Sequence, residues 1–223
     1  MSPRVEPKVI QVVLVEDHLM FREWLGQMLT REPGFAVCGE ANNIRDALSV
    51  IQRSSPDIAI VDITLCGSSG LELIKDLKAH GLAVPVLVLS MHDETLYAER
   101  VLRAGARGYI SKSEASAVLT KAIRHVLSGK VYLGEKMTTF MLNKVANPKA
   151  MAPTSRMNSL ADRELEVFQL IGRGFSSREI AEQLHLGETT VDTYRARIKE
   201  KLQIRTVPEL YTKAAQWVLE SGT

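Results

Sequence analysis

The stretch VIQVVLVED, residues 9–17, decides the predicted fold: an apolar run rich in β-branched residues that ends on two acids. The same order recurs in DIAIVD at 57–62. Further strand candidates are FAVCGEA, VPVLVLS and RGYIS, at 35–41, 84–90 and 107–111. A segment with apolar residues at helical spacing follows each of them. This alternation predicts an α/β domain, a flavodoxin-like doubly wound sheet of five parallel strands.

Beyond this region the periodicity becomes wholly helical, which predicts a second, small all-α domain. We place the first domain at 1–129, a linker at 130–156 and the second domain at 157–223. Within the linker, residues 130–146 could form a helix, and the Pro- and Ser-containing stretch 147–156 is typical of a hinge. The four helices predicted for the second domain span about 161–173, 177–184, 188–202 and 207–220.

Composition excludes several classes of protein. The 28 Lys and Arg residues nearly balance 26 Asp and Glu, so DNA binding would depend on where charges lie on a helix face. The longest apolar runs fall short of the ~20 residues of a membrane span, and the first residues have no signal-peptide core. We therefore expect a soluble, cytoplasmic protein without a membrane partner. Cys38 and Cys66 lack CxxC spacing, which argues against a disulfide framework or a zinc site.

Polar residues stand where the predicted strands end. Glu16 and Asp17 follow the first strand, Asp62 the third, Ser90 ends the fourth and Lys112 follows the fifth. The carboxyl ends of parallel strands meet at one edge of a sheet, so these side chains should converge. Three carboxylates repel one another unless a cation holds them, and all-oxygen ligation suits Mg²⁺. Lysine and serine side chains could then stabilise a phosphoryl group on one carboxylate.

The motifs VVLVEDH, DIAIVDITL, VLVLSMH and GYISK resemble those of two-component receiver domains across residues 9–128. The resemblance implies that Asp62 is the phospho-acceptor and that a sensor histidine kinase is the phosphoryl donor. It implies Mg²⁺ ligation by Glu16, Asp17, Asp62 and the backbone carbonyl of Thr64. The residues that it implies for the conformational switch are Ser90, Tyr109 and Lys112.

Residues 160–206 resemble the LuxR-type helix-turn-helix module of NarL-type response regulators. Such a module implies binding to double-stranded DNA and transcriptional regulation. Independently of the family, a helix, a tight LHLG turn and a second helix are the arrangement of a helix-turn-helix motif.

The predicted helix over 188–202 has two distinct faces. Its apolar stripe should face the domain core and contains Val191, Tyr194, Ile198 and Leu202. The opposite face offers candidate base contacts: Thr189, Asp192, Thr193, Ala196, Arg197 and Glu200. Phosphate contacts are expected from the flanks and from the start of the preceding helix, at Lys199, Lys201, Ser177 and Arg178.

Two further functions stay open from the sequence. An aspartyl-phosphate enzyme such as a phosphatase could use Asp62 as its nucleophile, but residues 63–67 offer no second carboxylate. A receiver-controlled protein-interaction module is the other, because Asp192 and Glu200 would repel DNA phosphates. The preferred interpretation is a DNA-binding response regulator that is not an enzyme. The last helix has a broad apolar side that includes Leu210 and Trp217. Packing within the unit is the commoner role for such residues, but the excess suits a homodimer, which the family resemblance also implies on phosphorylation.

Overall fold

A parallel sheet forms the centre of the first of two units in the computed structural model, which describes residues 8–65, 68–91, 94–146 and 157–221. The units are Met1–Gly134 and Glu135–Thr223. Within the described residues, the strands of the first unit are β1 (Ile10–Val15), β2 (Phe35–Ala41), β3 (Ile58–Asp62), β4 (Thr64–Leu65), β5 (Ser68–Ser69), β6 (Val86–Ser90) and β7 (Gly108–Ser111). Its helices are α1 (Leu19–Arg31), α2 (Ile44–Ser54), α3 (Gly70–Ala79), α4 (Glu94–Ala104) and α5 (Ala115–Leu127).

The main sheet has the order β2-β1-β3-β6-β7, with every neighbouring pair parallel. This confirms the predicted five-stranded doubly wound fold. Because helices cover both faces, β3 is buried along its whole length. The strand order reverses at β1, so β1 and β3 flank the switch point where α/β sheets bind ligands.

The segment after Asp62 contains a small feature that the sequence did not predict. Thr64–Leu65 and Ser68–Ser69 form a two-residue antiparallel pair. Gly70 then starts α3 so close to β3 that a Cβ atom on it would overlap the Asp62 carbonyl oxygen. The glycine lets the chain turn back directly behind the last residue of β3.

Residues 130–134 are not helical, so the helix that 130–146 could form is limited to Glu135–Ala146. Tyr132 instead pairs with β7: its N–H donates to the Arg107 carbonyl at 2.9 Å, and its carbonyl accepts from Tyr109 N at 3.0 Å. Gly108 permits this approach, since a Cβ there would lie 2.8 Å from the Tyr132 carbonyl oxygen. The first unit therefore continues to Gly134, beyond the expected boundary at 129. The expected hinge at 147–156 lies outside the described residues, as does Cys66.

The second unit is helical throughout its described part. Its helices are α6 (Glu135–Ala146), α7 (Asp162–Gly172), α8 (Ser177–Leu184), α9 (Glu188–Leu202) and α10 (Val207–Ser221). The last four agree with the predicted spans to within one residue at each end, because their starts and stops are local. Ser176, for example, accepts a hydrogen bond from Glu179 N at 3.3 Å while the Glu179 carboxylate accepts from Ser176 N at 2.8 Å.

Three of the four residues of the predicted apolar stripe of α9 lie in the core of this unit: Val191, Ile198 and Leu202 are buried. Tyr194, the fourth, is only half-buried. On α7 and α10, Phe168 and Trp217 pack with their ring centroids 5.5 Å apart. In the described part of the chain, we find no helix with the length and apolarity needed to cross a bilayer.

Candidate functional site

The acidic cluster lies at the carboxyl ends of β1 and β3. These strands pair in register, with Val15 opposite Val61, so the acids that follow them are neighbours. Asp62 is the last residue of β3, and Glu16 extends the β1–β2 ladder through its N–H to the Ala41 carbonyl at 3.0 Å. Glu16 and Asp62 are 2% and 4% exposed. Buried carboxylates of this kind need partners, because desolvation disfavours their charged form.

Lys112 provides that partner for two of the acids. Its Nζ lies 2.6 Å from Asp62 Oδ2 and 2.7 Å from Glu16 Oε2. The side chain is 6% exposed, and the Phe21 ring covers the ammonium with its centroid 4.6 Å away. Burial lowers the pKa of Lys112, but the charges of Asp62 and Glu16 outweigh it, so this pKa is raised above its ordinary value.

Asp17 lies in the same cluster without a comparable partner. Ligand atoms of Glu16, Asp17, His18 and Asp62 lie within 4.8 Å of one another. Both carboxylate oxygens of Asp17 are buried and accept no hydrogen bond from the residues that the structure describes. His18 Nδ1 is 2.9 Å from Asp17 Oδ1, but its ring nitrogen is bonded to Glu16 Oε1 at 3.1 Å. Unsatisfied carboxylate oxygens beside two further acids fit a hard divalent cation such as Mg²⁺.

The other predicted receiver residues lie around this edge of the sheet. Ser90 ends β6, next to β3, and is fully buried. Tyr109 is also fully buried, on β7 opposite Val88. Thr64 is half-buried in β4, two residues past Asp62. The structure thus brings Glu16, Asp17, Asp62 and Lys112 into one cluster and places Ser90, Tyr109 and Thr64 on adjoining elements.

Three residues of this site were not predicted. His18 approaches two of the acids, Phe21 covers Lys112, and Arg22 Nη1 donates to the Glu16 carbonyl at 2.5 Å. All three lie directly after the EDH sequence, in the segment that starts α1. Their position at that end of β1 was a usable signal.

The exposed face of α9 is the second candidate site. Every predicted base contact is exposed: Thr189, Asp192, Thr193, Ala196, Arg197 and Glu200. Among the described residues, the side chains of Arg197 and Lys199 have neither an ion-pair nor a hydrogen-bond partner. Their charges are therefore available to a ligand that approaches this face.

The remaining predicted phosphate contacts already have partners. Lys201 Nζ binds Glu164 Oε2 at 2.6 Å, and Arg178 Nε binds Glu182 Oε1 at 3.1 Å. Ser177 Oγ donates to Asp192 Oδ1 at 3.1 Å. A DNA phosphate would have to compete with these contacts, most of all at Lys201, because Glu164 is 3% exposed and also accepts from Ala161 N at 2.7 Å.

Arg195 is a residue of this unit that the sequence analysis missed. It contacts Ser177 on α8 and Tyr211 on α10 rather than pointing away from the unit. Its signal in the sequence was an arginine beside the apolar stripe of a helix.

Known proteins resemble the chain over almost its whole length. Residues 12–124 match the family described as "Response regulator receiver domain", and residues 158–214 match "Bacterial regulatory proteins, luxR family". Response regulator UvrY of Escherichia coli (strain K12) is 34% identical over 203 residues, which cover 91% of this chain and 92% of UvrY.

Solved structures give the same result. A two-component response regulator of the LuxR family from Aurantimonas sp. SI85-9A1 is 29% identical, with a TM-score of 0.59 over 62% of this chain and 99% of that one. The response regulator RcsB in its complex with DNA is 22% identical and shares the fold, with a TM-score of 0.55 over 96% of this chain and 99% of that one. RcsB from Salmonella typhimurium also shares the fold, with a TM-score of 0.64 at 21% identity over 94% of this chain and 98% of that one.

These matches decide between the functions that the sequence left open. The two matched families together describe regulators of transcription rather than enzymes, so Asp62 is not assigned to a phosphatase. The matches also assign DNA binding, rather than protein binding alone, to the helical unit. The chain belongs to the two-component response regulators that join a receiver domain to a LuxR-type DNA-binding domain.

Proposed function

We propose that a sensor histidine kinase phosphorylates this regulator on Asp62 and that phosphorylation controls its binding to DNA as a homodimer. The observation that carries the proposal is the geometry of the acidic cluster. Lys112 Nζ contacts both Asp62 and Glu16, beside an Asp17 whose oxygens accept no hydrogen bond from described residues. Such a site can bind a divalent cation and balance the charge of an added phosphoryl group.

The chain's own residues divide the phosphoryl transfer among them. An Asp62 carboxylate oxygen forms a bond to phosphorus as the bond from phosphorus to the kinase's histidine nitrogen breaks, and the released imidazole takes up a proton. Lys112 lies 2.6 Å from Asp62, close enough to neutralise the charge of the acyl phosphate. Ser90 supplies a hydroxyl at the end of the adjacent strand.

Glu16, Asp17, Asp62 and the Thr64 carbonyl are the groups that would hold Mg²⁺. When bound, Mg²⁺ neutralises phosphoryl oxygens. Tyr109 would move together with Ser90 as the switch. It is already buried, and its N–H donates to the Tyr132 carbonyl. A shift of Tyr109 would therefore also move the residues that precede α6.

The Asp62→Asn variant tests the first step. With acetyl phosphate and Mg²⁺, a phosphate-affinity gel should show a phosphorylated band for the parent and none for Asp62→Asn. Asp57→Asn is the matched control, because Asp57 is a carboxylate just before β3, at the opposite end of that strand from Asp62. Equal phosphorylation of Asp62→Asn and the parent would contradict the proposal.

For DNA binding we propose that α9 enters the major groove. Arg197 suits a bidentate contact to guanine, Thr193 and Ala196 suit the thymine methyl group, and Asp192 can accept from cytosine. Lys199 is free to contact a phosphate, whereas Arg178 and Lys201 would exchange their present partners for phosphates. Ser177 would contact a phosphate from the start of α8, where the helix dipole favours anions. Thr189 lies at the start of the same exposed face.

Selection from a random DNA pool tests this face. Beryllofluoride-treated protein should enrich one motif, and Arg197→Ala should bind that motif about 1–3 kcal/mol more weakly. An enrichment that is the same for Arg197→Ala and the parent would contradict the placement of Arg197.

The homodimer is proposed on α10. Leu210, Ala214 and Trp217 are buried within the unit, so the exposed apolar part of the helix is narrower than the sequence suggested and includes Val207 and Leu219. Small-angle scattering with and without beryllofluoride should show a doubling of mass on activation. An unchanged mass would contradict phosphorylation-driven dimerisation.

A further inference from the structure

Arg195 lies on the side of α9 that does not face DNA in the proposed function. With Val191 at zero, Arg195 falls at about 40° around the helix, next to the apolar stripe. Its side chain is 18% exposed. Arg197 falls at about 240°, on the opposite face, and is exposed. The two arginines are therefore a natural pair for comparison.

The Arg195 guanidinium joins three helices. Nη1 donates to Ser177 Oγ at 2.5 Å, at the first residue of α8. Nη2 donates to the Tyr211 hydroxyl on α10 at 3.2 Å, and the guanidinium carbon lies 5.3 Å from the centre of the Tyr211 ring. A planar guanidinium can make these contacts in different directions at once, which the single ammonium of a lysine cannot reproduce.

The same contacts explain how the carboxylate of Asp192 is accommodated on the DNA-facing side of α9. Ser177 Oγ donates a hydrogen bond to Asp192 Oδ1 at 3.1 Å, and Arg195 Nη1 lies 3.9 Å from that oxygen. The Asp192 carboxylate is thus held and partly neutralised within the unit. Glu200, on the same face, has no such side-chain partner among the described residues.

We infer that Arg195 is a positioning residue of the DNA-binding unit. It fixes α9 against the start of α8 and against α10, and so sets the orientation of the face that presents Thr193 and Arg197. Asp192 belongs to this network, which holds its carboxylate on the proposed reading face. The inference rests on the proposed reading face of α9.

A pair of matched substitutions in the full-length protein tests the inference. Arg195→Lys and Arg197→Lys each keep the positive charge and remove the planar donor group. Arg195→Lys should weaken binding to the duplex enriched by the parent roughly tenfold, the scale of one lost charge-assisted hydrogen bond. The slope of affinity against salt is measured in Arg195→Gln, which removes the charge, and it should be unchanged because no phosphate contact is lost. A slope lower by about one in Arg195→Gln would overturn the inference, since it is expected when a direct phosphate contact is removed.

The Tyr211→Phe variant tests whether Arg195 affects DNA binding through its contact with Tyr211. It removes only the hydroxyl that accepts from Arg195, and it should weaken DNA binding severalfold in the parent. In the Arg195→Lys background it should have no further effect, whereas in the Arg197→Lys background the two losses should multiply. Equal losses in all three backgrounds, or no loss in the parent, would overturn the inference. If Arg195→Lys does not fold, Tyr211→Phe in the parent remains the test: a severalfold loss of DNA binding supports the inference, and no loss overturns it.

The outcomes separate the inference from the proposed function. If the parent enriches no DNA motif, the proposed reading face is wrong. If the parent binds its motif but Tyr211→Phe acts independently of Arg195, only the inference fails.

Discussion

The two candidate sites of this protein use charge in opposite ways. In the receiver, Glu16, Asp62 and Lys112 are nearly inaccessible, come from distant parts of the sequence and are paired with one another. On α9, Arg197 and Glu200 are exposed, lie on one helix and have no side-chain partners among the described residues. A buried charge cluster couples function to stability, because removing any member leaves another uncompensated. An exposed helix face allows the two to be changed separately.

The largest effect is expected from Lys112→Met. The variant leaves the buried carboxylates of Asp62 and Glu16 without their shared cation, so the free energy of unfolding of the receiver should fall by about 3–5 kcal/mol at neutral pH. Urea unfolding would measure this loss. The chain has two tryptophans, so Trp217→Phe leaves Trp24 as a reporter of the receiver alone.

The free energy of unfolding should also depend on pH in a defined direction that differs between the parent and Lys112→Met. Since the pKa of Lys112 is raised in the folded state, its ion pairs contribute fully below 10.5 and are lost as the pH rises through the higher folded value. The parent should therefore lose more stability than Lys112→Met above pH 10.5. If the free energy of unfolding falls equally with pH in the parent and in Lys112→Met, Lys112 does not form these ion pairs.

On α9, one substitution on each face should separate stability from binding. Ile198→Ala removes a fully buried side chain and should destabilise the DNA-binding unit by about 2–4 kcal/mol. Arg197→Ala should change stability by less than about 0.5 kcal/mol while it weakens DNA binding. Thermal unfolding followed by Trp217 fluorescence, in a Trp24→Phe background, reports on this unit. A comparable loss of stability in both variants would remove the contrast between the two sites.

Within the acidic cluster, Asp17→Asn and Glu16→Gln should have opposite effects on the metal-free protein. Asp17 accepts no hydrogen bond from described residues, so Asp17→Asn should raise the free energy of unfolding by roughly 1 kcal/mol and weaken Mg²⁺ binding more than about tenfold. Glu16→Gln should instead destabilise, because Glu16 is bonded to Lys112 and His18. Mg²⁺ titration of Trp24 fluorescence and urea unfolding would measure the two quantities. Destabilisation by Asp17→Asn would contradict this expectation, since it would show that the contact of His18 Nδ1 with Asp17 Oδ1, at 2.9 Å, outweighs the missing hydrogen bonds.

The smallest effect is expected at the start of α8. Ser176→Ala should cost the DNA-binding unit about 1 kcal/mol, the usual loss of an N-cap side chain. The N–H and hydroxyl of Ser176 lower the pKa of Glu179 below its ordinary 4.5. The contribution of these hydrogen bonds to the free energy of unfolding is therefore present above pH 4.5 and is lost as the pH falls through the lower pKa of the folded state. In acid unfolding curves, Ser176→Ala should reduce that dependence. An unchanged curve would show that the Ser176 hydroxyl does not bind the Glu179 carboxylate.

Local signals account for what was predicted well. The helices α7 to α10 were predicted to within a residue because caps, turns and the apolar stripe of α9 lie within a few residues of one another. The strands were predicted because their apolar runs are continuous. The β4–β5 pair and the pairing of Tyr132 with β7 were missed, since both depend on a backbone approach allowed by Gly70 and Gly108. Periodicity does not report such approaches.

By itself, the sequence determined the α/β and helical units, the strand ends that carry Glu16, Asp17, Asp62, Ser90 and Lys112, and the face of α9 that carries Arg197. Those features follow from the short-range alternation of apolar and polar residues. Only the tertiary structure decided that Lys112 binds Asp62 and Glu16 while Asp17 accepts no hydrogen bond from described residues. It also decided that Arg195 joins α8 to α10 while Arg197 stays free. Hydrogen bonds and ion pairs depend on distances and angles between segments far apart in the chain, which residue types and spacing do not specify.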